Sequence, residues 1–199
     1  MTTNASTATG FLGPAVVTDD VRRLLEHDIE QLGYVMNLSH LWAHGPALHT
    51  GLFTLLSQAA RAASLTFRQR GVLVLAFAAT QGDAYCSLAW GKKLADVSDA
   101  GLASGVLRGA DAALDPAERA LAGWARAVTR DPNDTEACDL QPLRDAGFDD
   151  AQILAITVFV ALRLAFATVN DALGVLPDQD LYETAPPAVV EAVTYGRQR

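Results

Sequence analysis

The stretch from Asp149 to Leu173 constrains this chain most. An aspartate suited to cap a helix precedes a run that is apolar nearly all the way round, so the pattern predicts a long helix from about Asp150 to Leu173. A helix with no polar face has to be covered by other elements, which makes it central. Half of the 199 residues are apolar, only 7% are aromatic, and alanine and leucine abound, a balance that favours packed helices over a sheet. Arg163 and Asn170 interrupt the longest apolar run, so no uninterrupted stretch reaches the length of a membrane span.

The rest of the chain reads as further helices. Residues 1–13 are small and polar and are expected to form a mobile tail. Thr18-Asp19-Asp20 caps a first helix to about Gln31, with Val21, Leu24, Leu25 and Ile29 along one face, and Gly33 ends it. Asn37 begins a short helix to about His44. Pro46 opens another to about Ala63, where Leu48, Leu52, Leu55, Leu56 and Ala59 recur at helical spacing. Gln69 to Thr80 is strongly apolar, Gly82 turns the chain, and a further helix follows. Val97 to Gly109 is weakly patterned. Asp115-Pro116 opens a helix to Arg130, Thr135 a short one that stops at Gly147, and Pro186-Pro187 a last one to about Tyr195, after an acidic loop over 175–185. No flexible linker divides the chain, so residues 14–199 are expected to form one all-α, single-domain bundle of about eight or nine helices.

Charge narrows the partners. The formal net charge is −8, and an acidic surface repels phosphate backbones, which argues against nucleic acid. Met1 to Gly10 carries no basic residue ahead of the short apolar patch Phe11 to Val17, unlike a secretory leader. Two cysteines far apart make no disulfide framework. The expectation is a cytoplasmic, reduced protein with no membrane and no nucleic-acid partner.

Chemistry concentrates between Gln81 and Ala95. Asp83 is placed as an N-cap, because its carboxylate can accept free N–H groups of the first turn. Cys86 then sits at the third helical position, where those N–H groups and the positive end of the helix dipole favour a thiolate. Burial as a small hydrophobe is the alternative for Cys86, with Trp90 one turn on covering the sulfur. Asp83 is explained by capping alone, or it can carry a proton for Cys86.

This stretch resembles the alkylhydroperoxidase D-like branch of the carboxymuconolactone decarboxylase superfamily. The family pattern is an apolar helix, a turn, a Cys-x-x-Cys pair and a histidine four residues later. Here the apolar helix is Arg70 to Ala79, Tyr85-Cys86 stands where the second cysteine belongs, and Leu94-Ala95 closes the motif. Similar segments recur at Asp115 to Leu121, Leu143 to Phe148 and Ala172 to Val175, so the likeness, to the peroxidase-related members, covers most of residues 35–178. Asp83 replaces the first cysteine, Trp90 the histidine, and about Gly71 the family's helix glutamate. The resemblance implies the family's helical bundle, a homo-oligomer, no cofactor, and thiol-dependent peroxide or redox chemistry at Cys86. The missing cysteine and histidine imply weak or no ordinary peroxidase turnover.

Two other functions stay open: a cofactor-free lyase or isomerase of a small organic acid, with Asp83 moving a proton and Arg163 holding a carboxylate, and a non-catalytic oligomeric binding protein. Cys86 and Asp83 are the catalytic candidates; Trp90, Tyr85 and Arg163 are the candidates for binding a small-molecule substrate. A guanidinium inside an apolar helix needs a partner, and Asp171 or Glu118 would supply one structurally; an anion clamp facing a pocket is the functional reading. His40 and His44, at i and i+4, have no carboxylate or cysteine at ligand spacing, so no metal is expected. Lys92 and Lys93 read as a solvated face, His27 as a solvated charge partner, and Cys138 as an exposed thiol after a turn.

Overall fold

The structure is a computed structural model, and it describes residues 10–197. Among these residues it contains eleven α-helices and no strand: α1 (Asp19–Leu32), α2 (Asn37–Trp42), α3 (Pro46–Ala62), α4 (Phe67–Gln81), α5 (Ala84–Val97), α6 (Ala100–Leu107), α7 (Pro116–Arg130), α8 (Gln141–Asp145), α9 (Asp150–Ala172), α10 (Gln179–Thr184) and α11 (Pro187–Ala192). The all-α single bundle is as expected; the helix count is higher because four of the helices, α2, α8, α10 and α11, run only five or six residues.

The helix starts lie where the capping chemistry puts them. Thr18, Asp83, Asp99, Asp115 and Asp149 each accept a first-turn N–H through the side chain. Thr66–Gln69, Asp115–Glu118 and Asp149–Gln152 form reciprocal capping boxes. Gly82, at φ 80°, ends α4 in the left-handed conformation that a side chain would resist, and its N–H reaches back to the Ala78 carbonyl.

Two layers result. On one side α4 packs against α5, α6 and α7; on the other α9 crosses α3 and also touches α4 and α7. The segment Val72 to Ala78 is wholly buried, so α4 has no wet face and forms the axis of the bundle. Glu118, also buried, takes Arg68 in a two-pronged pair at 2.5 and 3.0 Å, and this ties α7 to the start of α4. α5 crosses α11 at Gly91, where any Cβ would overlap the buried Val189 side chain.

Several expectations change. Thr135 to Gly147 is a 3-10 turn (Ala137–Leu140) leading into α8, and not one short helix. The acidic loop contains α10, and the last helix stops at Ala192. Of the expected N-terminal tail, residues 1–9 lie outside the described residues. Residues 10–13 are docked: the Phe11 N–H donates to the Leu173 carbonyl at 2.8 Å, and His44 Nε2 meets the Gly13 carbonyl at 2.9 Å. Ile29 of α1, and Leu48 and Leu55 of α3, face solvent although their spacing put them with the core. The apolar arc of α3 is wider than its neighbours cover.

α9 is long and apolar enough to cross a membrane by length and composition. Here it packs as a core helix, and it turns Arg163 and Asn170 inward. Asn170 accepts the Trp42 indole N–H at 2.9 Å, a buried bond that fixes α9 against α2.

Candidate active site

Cys86, Ala89, Trp90 and Lys93 stand at i, i+3, i+4 and i+7 on α5, so they share one face. That face opens onto a cavity of about 1380 Å³ bounded by α1, α2, α3, α5 and α9. Arg163 and Phe166 reach it from α9, and His49 and Phe53 from α3. Sequence reasoning singled out Cys86, Trp90, Tyr85 and Arg163, and all four line this cavity; Asp83 lies just behind Cys86.

Asp83 is buried at the α4–α5 turn, and one carboxylate oxygen accepts the Cys86 N–H at 2.9 Å. Its other oxygen, Oδ2, is buried without a conventional hydrogen-bond partner. Burial is the largest influence on this carboxyl and pushes it above the usual carboxylate range, against the opposing pull of its hydrogen bonds with Cys86. Burial likewise raises the Cys86 thiol well above the ordinary thiol range, and the Asp83 charge and hydrogen bond raise it further. The helix start therefore does not yield a resting thiolate. Desolvation outweighs the dipole. What opposes it is the positive charge of Arg163.

Arg163 corrects the sequence-based pairing. Neither Asp171 nor Glu118 meets it, since Glu118 is taken by Arg68. Instead its guanidinium lies 4.8 Å from the centroid of Trp90, 5.5 Å from that of Phe159 and 5.8 Å from that of Phe53. Three aromatic rings thus hold the cation through their π faces. Nε is buried with no hydrogen-bond partner, and no carboxylate among the described residues pairs with the group. Burial lowers Arg163 to about 10, which leaves it charged at neutral pH.

Trp90 holds the centre of this arrangement. Phe67 stacks on it at 5.6 Å, and Lys93 Nζ lies 5.3 Å from its centroid. Lys93 therefore faces the cavity, unlike Lys92, which pairs with Asp96 at 2.7 Å. Tyr85 is part of the wall, but its hydroxyl donates to Asp178. Asp178 also accepts the Asn37 N–H at 2.7 Å, so this one carboxylate pins the loop before α10 to both α5 and α2.

His49, Phe53 and Phe166 were not singled out from sequence. His49 stacks near Phe53 at 4.4 Å, Phe53 meets Phe166 edge-on at 5.3 Å, and burial lowers His49 so that it is neutral. The i, i+4 spacing of His49 and Phe53 was the available signal. His40 is exposed, and no group of three metal-ligating side chains gathers among the described residues. Cys138 lies in a separate cavity between α7 and α8, remote from Cys86.

Likeness to solved structures shows the all-α bundle to be of the alkylhydroperoxidase AhpD-core fold. Neither a protein-family model nor a curated protein matches the chain by sequence. Solved structures do match it. An uncharacterized peroxidase-related protein with the AhpD core from Ralstonia eutropha aligns over 90% of this chain and 98% of its own, with 21% identity and a TM-score of 0.77. An uncharacterized peroxidase-related protein from Silicibacter sp. aligns over 90% and 97%, with 20% identity and a TM-score of 0.81. The debrominase Bmp8 aligns over 90% and 96%, with 12% identity and a TM-score of 0.71. A cysteine-to-alanine variant of Bmp8 has been solved with 2,3,4-tribromopyrrole. At these identities the likeness is one of fold.

Proposed function

We propose that this protein is a thiol-dependent reductase of a small, largely apolar molecule, with Cys86 as the reacting thiol, Asp83 as its proton partner and Arg163 as the stabiliser of developing negative charge. One observation carries the reading: Cys86 and an unpaired guanidinium open onto the same aromatic-walled cavity.

In the reaction, the Cys86 thiol passes its proton to Asp83, and the thiolate is held opposite Arg163. For a hydroperoxide, the sulfur attacks the distal oxygen; an S–O bond forms and the O–O bond breaks. The departing alkoxide takes the proton from Asp83 and leaves as an alcohol. Cys86 is left as a sulfenic acid. An external thiol displaces water from it to give a mixed disulfide, and a second thiol restores Cys86 and leaves as the external disulfide. Cys138 does not serve, because it lies in the other cavity. For a halogenated ring the sulfur attacks the halogen: an S–halogen bond forms, the C–halogen bond breaks and the ring carbon takes the proton from Asp83. An external thiol then displaces halide from the sulfur to give the same mixed disulfide. The likeness to a debrominase favours flat halogenated aromatics as substrates.

With the resting thiol protonated, turnover is slow. Peroxide consumption and sulfenic-acid trapping, measured on the wild type and on Cys86→Ser with a small monothiol as reductant, test this. The expected result is oxidation of Cys86 by one equivalent of peroxide and slow cycling that the serine variant lacks. A Cys86 that no peroxide or haloarene oxidises defeats the proposal.

A second reading has its own observation, the buried Asp83 oxygen without a partner beside a protonated thiol. In that reading Asp83 moves a proton on a small organic acid whose carboxylate Arg163 holds, as in a lyase or isomerase. Turnover of such an acid without any thiol reductant, retained in Cys86→Ser and lost in Asp83→Asn, would favour it.

A further inference from the structure

We propose that the cavity takes up a phenol, a flat ring bearing an acidic hydroxyl, and binds it as the phenolate, with His49 accepting the hydroxyl proton and Arg163 facing the oxygen. This rests on the reading of the cavity as the substrate site and needs no step at Cys86.

α3 and α9 pack on one another, and each sends one ionisable and one aromatic side chain into the cavity. His49 and Phe53 stand at i and i+4 on α3, and Arg163 and Phe166 at i and i+3 on α9. The Phe53 ring lies 4.4 Å from the His49 ring and 5.8 Å from the Arg163 guanidinium, and Phe166 stands edge-on to it at 5.3 Å. Imidazole and guanidinium are therefore neighbours across a single phenyl ring. Trp90 adds a further flat surface beside Arg163. Walls of this kind suit an aromatic ligand, with the few polar groups fixing its orientation.

His49 is not tied up within the chain. Its ring contacts are with Trp42, Phe53 and Phe166, and neither ring nitrogen has a hydrogen-bond partner among the described residues. Burial keeps the imidazole neutral, so one nitrogen carries a free lone pair. A ligand hydroxyl supplies the missing donor. Its O–H bond then breaks, the proton passes to the imidazole nitrogen and the electron pair stays on the ligand oxygen. The rings around His49 favour the imidazolium so formed, and so does the charge of Asp28 on α1. The buried guanidinium of Arg163, whose Nε has no partner, gains the anion it lacks.

The charge of the cavity agrees. Four basic side chains (Arg23, Arg61, Lys93 and Arg163) line it against two carboxylates (Asp20 and Asp28), in a chain of net charge −8. Asp20 pairs with Arg23, and Asp28 accepts the Met36 N–H at 3.0 Å. His27 of α1 opposes protonation of His49; α5 brings Cys86 and Lys93, and α2 adds no ionisable group among the described residues. The surplus of positive charge draws in an anion. A carboxylate satisfies the cations but arrives already ionised, with no proton for His49. A weakly acidic hydroxyl uses both groups.

4-Nitrophenol tests this on the full chain, because its anion is yellow and its acid colourless. It is added at a pH where the free probe is colourless, and quenching of tryptophan fluorescence reads binding separately. The expected result is saturable yellow colour, the ionisation constant of the bound probe being raised at least about tenfold. Cys86→Ser should keep that shift, so a failed thiol reaction and a failed phenol site give different results. Arg163→Met should lose it. His49→Gln keeps a hydrogen-bonding amide but cannot take the proton; it should still quench with the probe and lose at least about nine-tenths of the colour. If it fails to fold, His49→Phe, which preserves the aromatic packing, takes its place. 4-Nitroanisole, which has no proton to give, should bind at least about tenfold more weakly than the phenol. A wild type that does not bind the probe, or binds it without colour, overturns the proposal. So does colour that the His49 variant leaves unchanged. 4-Nitrobenzoate binding more tightly than 4-nitrophenol, equally in wild type and His49→Gln, also overturns it and makes this a carboxylate site served by Arg163 alone.

Discussion

The Arg163 guanidinium lies 4.8 Å from the Trp90 ring centroid, and no carboxylate among the described residues reaches it. A buried cation is ordinarily balanced by an anion. Here aromatic rings hold it, and its charge is left available to the cavity. Trp90 has no titratable proton to pass on, and its ring fixes a cation beside the cysteine.

Arg163→Met should therefore separate stability from function. Removing an unpaired buried charge in favour of an apolar chain of similar length is expected to raise unfolding free energy by about 1–3 kcal/mol. In the same variant Cys86 should lose any preference for iodoacetate over iodoacetamide, since the cation that attracts the anionic reagent has gone. Urea unfolding and timed alkylation read by mass spectrometry give both numbers. An unchanged preference would show that Arg163 does not act on the cavity.

Cys86 should alkylate far more slowly than Cys138 at pH 8, because burial and Asp83 keep its thiol protonated while Cys138 is exposed. Asp83→Asn keeps an N-capping side chain but removes the negative charge. It should speed Cys86 alkylation at that pH at least several-fold. Peptide mapping after alkylation at several pH values checks this, and a slower Asp83→Asn variant would mean that Asp83 accepts the thiol proton in the ground state as well.

Asp171, half-buried near the end of α9, is pushed up to about 6, mainly by burial and then by the charge of Asp83. Its folded pKa exceeds the unfolded value near 3.9, so the folded state holds the proton more tightly. Its contribution to stability is then lost as pH rises from about 4 to about 6 and is flat above. Asp171→Asn should flatten that part of the profile. It should also gain about 1 kcal/mol at pH 7, a figure reduced for the screening a partly exposed carboxylate receives. Urea midpoints measured from pH 4 to pH 8 decide it; parallel profiles for the two proteins would be the contrary result.

Gly91→Ala should cost about 1–3 kcal/mol, because the added Cβ meets the buried Val189 side chain of α11 and neither helix can yield freely. Thermal unfolding measures the loss. Tyr85→Phe, which strands a buried Asp178 oxygen, should cost a similar amount.

The sequence carried the helices because their signals are local. Thr18, Asp83, Asp115 and Asp149 are N-caps in the structure as their spacing indicated, and Gly33 and Gly82 end helices in the left-handed conformation. A cap is chosen by residues three positions apart, so a short window contains it. Where the signal is weak, as before α6 and at the turn-and-a-half of α10, the reading faltered. The grouping of Cys86 and Trp90 on one helix face with Asp83 as its cap was likewise legible, since all three lie within a few residues at one helix start.

By itself, then, the sequence determined an all-α chain, the ends of its main helices and the place of the cysteine. Only the tertiary structure decided the chemistry around that cysteine. Whether Cys86 is thiol or thiolate depends on a balance of desolvation, Asp83 and Arg163, and Arg163 comes from a helix about eighty residues away along the chain. It also decided that Arg163 has aromatic rings and no acid for company, that Lys93 faces the cavity, and that Leu48 and Leu55 remain uncovered. Periodicity shows that a helix has an apolar face. Which parts of that face find a neighbour is settled by how the helices pack.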